Sequence, residues 1–91
     1  MGSELFVVGL SYRTSPVALR EKLAVPIDKL PAAVQRLLGE ASLEEALLVA
    51  TCNRVEIYGV ASDAAACARA REWLELPLGA GALGDHLYER N

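Results

Sequence analysis

Ninety-one residues, 53% of them hydrophobic, make one domain with enough apolar material for a core, which excludes a disordered chain. A net charge of −3, from nine basic against twelve acidic side chains, excludes a broad basic surface for general nucleic-acid binding but not a local cationic contact. Two cysteines without CxxC spacing and a single histidine argue against a disulfide scaffold and against a zinc site built from this chain. The opening MGSELFVVGLSYR lacks the basic start and apolar length of a secretory signal, and no aliphatic run reaches a membrane span. The expected setting is reducing and cytoplasmic, with free thiols and no membrane contact.

LFVVGLSY (5–12) reads as a buried strand. Ser15 before Pro16 predicts an N-cap with proline at the first helical position, and Leu19 and Leu23 mark a short helix that Pro26 stops. Asp28 is the expected cap of a second helix, with Pro31 in its first turn. Its core stripe is Leu30, Val34, Leu37 and Leu38, and Gly39 is its expected terminator. EALLVAT (45–51) reads as a second buried strand. RVEIYGV (54–60) sets Val55, Ile57 and Gly59 against Arg54, Glu56 and Tyr58, as in a half-exposed strand. The short link at Cys52 and Asn53 permits only an antiparallel hairpin.

Ser62 or Asp63 then caps a third helix with Ala66, Ala70, Trp73 and Leu74 on one face. Pro77 and LGAGALG form a loop, and DHLYERN reads as a last strand. The order β-α-α-β-β-α-β predicts a ferredoxin-like α/β (α+β) sandwich, an antiparallel sheet of about four strands with helices on one face. The chain ends on that strand rather than on a tail, as a piece of something longer would.

Among the polar and reactive residues, Cys67 reads as a small buried hydrophobe of the third helix, and Arg71 and Glu72 as a solvated helix face. His86 has no acid or nucleophile near it in sequence that would define a role. Cys52 stands apart, at the tip between two strands. It can be a partly buried turn residue beside Asn53, or a thiol activated by Arg54 and the turn N–H groups. The end of strand 1 brings Ser11, Arg13 and Thr14 toward it, so Arg13 and Arg54 together offer two forks for an anion. No histidine pairs with Cys52 as in a protease dyad, and there is no G-x-G-x-x-G after strand 1 and no P-loop motif. A thiol working alone would attack an already activated carbonyl.

VVGLSYRTSPVALREKLAVP followed about twenty residues later by ALLVATCNRVEIYGV resembles the N-terminal domain of glutamyl-tRNA reductase. That family carries GLS(H/Y)(R/K)T(A/S)PV-x-x-RE and, after a helix, STCNR-E-Y. Tyr12 stands where histidine is as common and Ala50 where serine is common. The resemblance spans essentially the whole chain, so residues 1–91 are expected to be a single N-terminal catalytic-domain fragment.

The resemblance implies reduction of glutamyl-tRNA to glutamate-1-semialdehyde with NADPH, at the start of the five-carbon route to tetrapyrroles. Cys52 is then the nucleophile that attacks the ester and forms a thioester. Thr51, Asn53 and Arg54 match the segment holding the glutamate moiety, with Arg54 on its carboxylate and Arg13 as a second candidate. NADPH belongs to a separate Rossmann-type domain and homodimerisation to a helical domain, so the fragment should lack hydride transfer. Glutamate-1-semialdehyde aminomutase is a candidate partner. The family's helper histidine lies in a later segment, and His86 does not take that role. The rival from another class is a non-catalytic ferredoxin-like module binding a small anion or a protein, with Cys52 incidental.

Overall fold

The structure is a computed structural model and describes residues 2–90. Apolar side chains at alternate positions make Glu4–Ser11 (β1) and Arg54–Ala61 (β3) strands, which pair antiparallel from Glu4 opposite Ala61 to Ser11 opposite Arg54. Glu45–Ala50 (β2) completes a hairpin with β3, and Tyr88–Arg90 (β4) pairs with the other edge of β1. The sheet order is β2-β3-β1-β4, antiparallel throughout. Val17–Leu23 (α1), Leu30–Glu40 (α2) and Ala66–Glu75 (α3) pack against β3, β2 and β1 respectively. This is the ferredoxin-like α+β sandwich expected from the order of elements.

The core lies between that sheet face and the helices. Val8, Leu10, Leu37, Val55 and Ile57 have no solvent contact, and each such side chain contributes about 1.5–3 kcal/mol. The stripe of α2 behaves as its spacing requires: Leu37 is buried, and Leu30, Val34 and Leu38 pack partly buried against the core. On α3, Ala66, Ala70 and Leu74 are buried, whereas Trp73 is half-buried and its indole N–H donates to Glu40 Oε1 at 3.0 Å. Among the described residues no helix is long and apolar enough to cross a membrane.

The helix ends depart from the sequence reading. Ser15 caps nothing; Pro16 occupies the cap position, and the Ser15 hydroxyl donates to the Ser11 carbonyl at 2.8 Å. Asp28 falls in a 3-10 turn, Ile27–Lys29, that runs into α2 and takes the place of a side-chain cap. Gly39 does not end α2, which continues to Glu40. Ser42 takes the left-handed turn at φ 54, with Leu43 N–H on the Leu38 carbonyl and Ser42 N–H on that of Gly39. Asp63 sits ahead of α3, accepting from the Ala65 N–H and from Arg69. The last strand is shorter than DHLYERN: His86 belongs to a 3-10 turn, β4 begins at Tyr88, and Asn91 lies outside the described residues.

Candidate active site

Between β2 and β3 the chain reverses through Thr51, Cys52 and Asn53. The Thr51 N–H donates to the Arg54 carbonyl at 2.9 Å, and the Thr51 hydroxyl accepts from the N–H groups of Asn53 and Arg54 at 3.2 and 3.3 Å. Thr51 thus closes the turn. Two of the turn N–H groups expected to activate the thiol are committed to its hydroxyl. The Cys52 N–H has no partner among the described residues, and its thiol is exposed at the tip.

A second turn, Ser11–Ser15, lies against the first because β1 and β3 end together. The Tyr12 N–H donates to the Asn53 carbonyl at 2.8 Å. Within this turn Ser11 N–H donates to Thr14 Oγ1, and Arg13 N–H to Ser11 Oγ. Arg20 ties the two turns together from below. Its Nε donates to the Cys52 carbonyl at 2.8 Å and its Nη1 to the Ser11 and Ser15 carbonyls, while its side chain is only 5% exposed. Sequence reading assigned Arg20 no role. The available signal was a cation on the same face of α1 as Leu23.

A cleft of 440 Å³ is lined by the Ser11–Thr14 turn, by Arg54, Glu56 and Tyr58 of β3, and by Tyr88 and Arg90 of β4. Arg13 and Arg54 share it, as expected, and Arg90 is a third guanidinium that sequence reading did not single out. Cys52 stands at the tip, outside this lining. His86 is also outside it, with its Nδ1 donating to the Thr14 carbonyl at 2.8 Å.

Glu56 contradicts its expected exposure. It points to the face of the sheet without helices, yet is 6% exposed. The Tyr58 hydroxyl donates to Oε1 at 3.0 Å, the Tyr88 hydroxyl donates to Oε2, and Arg54 Nη1 lies 3.6 Å from Oε1. Gly9 makes this possible, being paired with Glu56 on one side and Tyr88 on the other. A Cβ at Gly9 would stand 2.8 Å from Glu56 Cγ. The missing side chain is the passage by which Glu56 of β3 reaches Tyr88 of β4.

Burial and the carboxylate together hold both phenols in their neutral form. Tyr58 is raised chiefly by its hydrogen bond to Glu56, then by burial. Tyr88 is pushed up to about 12 by burial, then by Glu56. A phenolate titration by ultraviolet absorbance should show one tyrosine ionising near 12, a step that Tyr88→Phe removes and Glu56→Gln moves down. From pH 10 upward the unfolded chain loses this proton before the folded one does. The Tyr88 contribution is therefore complete below about 10 and is lost as pH rises through about 12.

The other thiol differs in kind. Cys67 of α3 is half-buried, and burial, then Glu89, pushes its pKa up, against a smaller opposing effect of Arg71. Near neutral pH, iodoacetamide should modify exposed Cys52 before Cys67, read by peptide mass mapping. Equal rates, or faster labelling of Cys67, would contradict an accessible, reactive Cys52. No group of three or more His, Cys, Asp or Glu side chains among the described residues is placed to hold a metal ion.

A family model described as "Glutamyl-tRNAGlu reductase, N-terminal domain" matches residues 8–90. The chain belongs to this family. Glutamyl-tRNA reductase of Salinispora arenicola is 47% identical over 90 residues, covering 93% of this chain and 19% of that protein. The enzyme of Myxococcus xanthus is 49% identical over 87 residues, covering 94% of the chain and 19% of the relative. Among solved structures, glutamyl-tRNA reductase from Methanopyrus kandleri superposes with a TM-score of 0.66 at 26% identity, over 96% of this chain and 18% of that one. The chain therefore spans about a fifth of the length of the relatives it matches.

Proposed function

We propose that this chain is the thiol-bearing, N-terminal catalytic domain of a cytoplasmic glutamyl-tRNA reductase, acting at the entry to tetrapyrrole synthesis. Cys52 Sγ attacks the carbonyl carbon of the glutamyl ester. The carbon–oxygen bond to the terminal ribose breaks, the ribose oxygen leaves with a proton, and a glutamyl thioester remains on Cys52. An ester is already activated, so a thiolate suffices without the machinery that cleaves amides. The observation that carries this reading is an exposed thiol on a braced hairpin tip, two residues before Arg54 of a cleft walled by arginines.

The residues divide the work by what each has free. Arg54 is half exposed and only loosely paired with Glu56, so its guanidinium takes the substrate's side-chain carboxylate, with Arg13 across the cleft as the second fork. Thr51 and Asn53 shape the tip, Thr51 by its hydroxyl and Asn53 by the carbonyl that receives Tyr12. The Cys52 N–H is the turn amide left for the developing oxyanion.

NADPH would supply the hydride that converts the thioester to the aldehyde. The turn after β1 is Tyr-Arg-Thr-Ser-Pro without a glycine, so these residues do not fit a dinucleotide. The chemistry of this domain ends at acylation, and reduction, like dimerisation, belongs to other parts of the enzyme. An aminomutase is the natural recipient of a reactive semialdehyde.

Intact-protein mass after incubation with glutamyl-tRNA or an activated glutamate ester tests the reading. A glutamyl adduct that disappears in Cys52→Ser and persists in Cys67→Ser is expected. In the complete enzyme, Cys52→Ala should abolish semialdehyde formation. Retained activity there, or an adduct that survives Cys52→Ser, removes Cys52 as the nucleophile.

A further inference from the structure

Tyr12 is the one large aromatic side chain left exposed among the described residues, at 57%. Aromatic rings ordinarily find apolar cover, and Phe6, Tyr58, Trp73 and Tyr88 all do so at least in part. Tyr12 is nevertheless held in place. Its N–H is bonded to the carbonyl of Asn53, the residue after Cys52, and the turn it stands on is fastened by Ser11, Thr14 and Arg20. Arg13 holds the ring itself: Nε donates to the Tyr12 hydroxyl at 3.2 Å and the guanidinium carbon lies 5.7 Å from the ring centroid. A fixed, exposed ring with an arginine beside it is the arrangement on which nucleic-acid bases stack.

Charge points the same way. The chain as a whole is acidic, at −3, yet Arg13, Arg54 and Arg90 gather round one cleft with Glu56 as the only carboxylate in its lining. Glu56 is already taken up by two tyrosine hydroxyls. The cleft is therefore a cationic spot on an acidic protein, suited to an anion that reaches it from outside. The ester to be cleaved at Cys52 is carried on the ribose of a terminal nucleoside, so base and phosphate must lie within one nucleotide of the thiol. Tyr12 and Arg13 are the aromatic ring and the cation that the fold sets there.

We propose that Tyr12 and Arg13 form the subsite for the 3′-terminal nucleotide of the aminoacyl-tRNA, the purine stacking on the open side of the Tyr12 ring and Arg13 reaching the adjoining phosphate. The ester part of this assignment rests on the function proposed above; nucleotide binding at Tyr12 does not need the thiol to react. Base stacking of this kind changes affinity by roughly tenfold to a hundredfold when the ring is removed.

The probe is the non-hydrolysable 3′-glutamylamido-3′-deoxyadenosine 5′-phosphate, titrated against this chain and followed by NMR shifts of the Tyr12 and Arg13 amides. Tyr12→Ala should weaken its binding by about tenfold to a hundredfold, while Tyr12→Phe, which keeps the ring, stays within about twofold of the unsubstituted chain. Arg13→Ala should weaken the 5′-phosphorylated probe more than the unphosphorylated one, and equal weakening of the two would remove Arg13 from the phosphate. A nucleoside-free activated glutamate ester should still acylate Cys52 in Tyr12→Ala at the unsubstituted rate. Absence of probe binding, equal binding by Tyr12→Ala, or shifts confined to another surface overturns the subsite. Failure of the nucleoside-free ester to acylate Cys52 strikes the proposed chemistry instead, and the two failures are read from separate measurements.

Discussion

Arg20→Met should cost this domain about 3–5 kcal/mol, a large share of what a chain of this size holds in reserve. Arg20 is 5% exposed, and the bonds of its guanidinium run to three backbone carbonyls, those of Ser11, Ser15 and Cys52, and to the Ser15 hydroxyl. Truncation to an apolar stem keeps the packing but leaves these acceptors in a site from which water is largely excluded, at about 1–3 kcal/mol for each one left unsatisfied. Arg20→Lys should recover little, because an ammonium cannot match a planar fork aimed at carbonyls on two turns. Urea unfolding reads the effect as a lower midpoint with an unchanged slope. A loss below about 1 kcal/mol would show that the carbonyls find water easily and that Arg20 is not the brace described.

The same substitution connects stability to chemistry. Arg20 is bonded to the carbonyl of Cys52 and to both ends of the turn bearing Tyr12 and Arg13. Under conditions where Arg20→Met remains folded, the two turns should separate, seen as faster hydrogen exchange at the Tyr12 N–H that now bonds to Asn53. Acylation of Cys52 should slow with it, since a nucleophile displaced by an ångström loses much of the advantage of being positioned.

The sequence patterns that were legible are those that involve many residues at once. A compact apolar run in LFVVGLSY and period-two alternation in RVEIYGV located the central strands, and the link at Cys52 and Asn53 required the hairpin; together they led to an antiparallel sheet, whose order is β2-β3-β1-β4. The convergence of Ser11, Arg13 and Arg54 on one cleft was readable for the same reason, because register carries side chains with it. Single polar residues were less legible, since their partners are distant in sequence. Ser15 had the local signature of a cap, but the Ser11 carbonyl and Arg20, brought in by the fold, bind its hydroxyl instead. Alternation sent Glu56 to the correct face and gave the wrong exposure, because Tyr88 approaches it from 32 positions away. One signal was present and unread: a glycine in the middle of a strand marks close approach by something else.

That glycine supplies the second large effect. Gly9→Ala should destabilise the domain by about 3 kcal/mol, toward the upper end for overpacking, because the obstruction is backbone. The added Cβ would stand 2.4 Å from the Val55 carbonyl oxygen and 2.8 Å from Glu56 Cα, in the longest strand pairing of the sheet. A side chain could swing away; a ladder partner cannot, so β1 and β3 must part or twist locally. Gly39→Ala is the matched control, since nothing lies within 4 Å of its added Cβ and helix α2 continues through it; it should be neutral or stabilise by up to about 1 kcal/mol. The two variants differ by the same methyl group, so any effect through the unfolded chain is shared and the difference reports β1–β3 contact. Gly9→Ala should also dislodge Glu56 from between Tyr58 and Tyr88, bringing the tyrosine that ionises near 12 down toward the ordinary range. Unchanged stability together with an unchanged phenolate titration would mean that the strands yield at no cost, and that Gly9 is not what opens the way for the buried carboxylate.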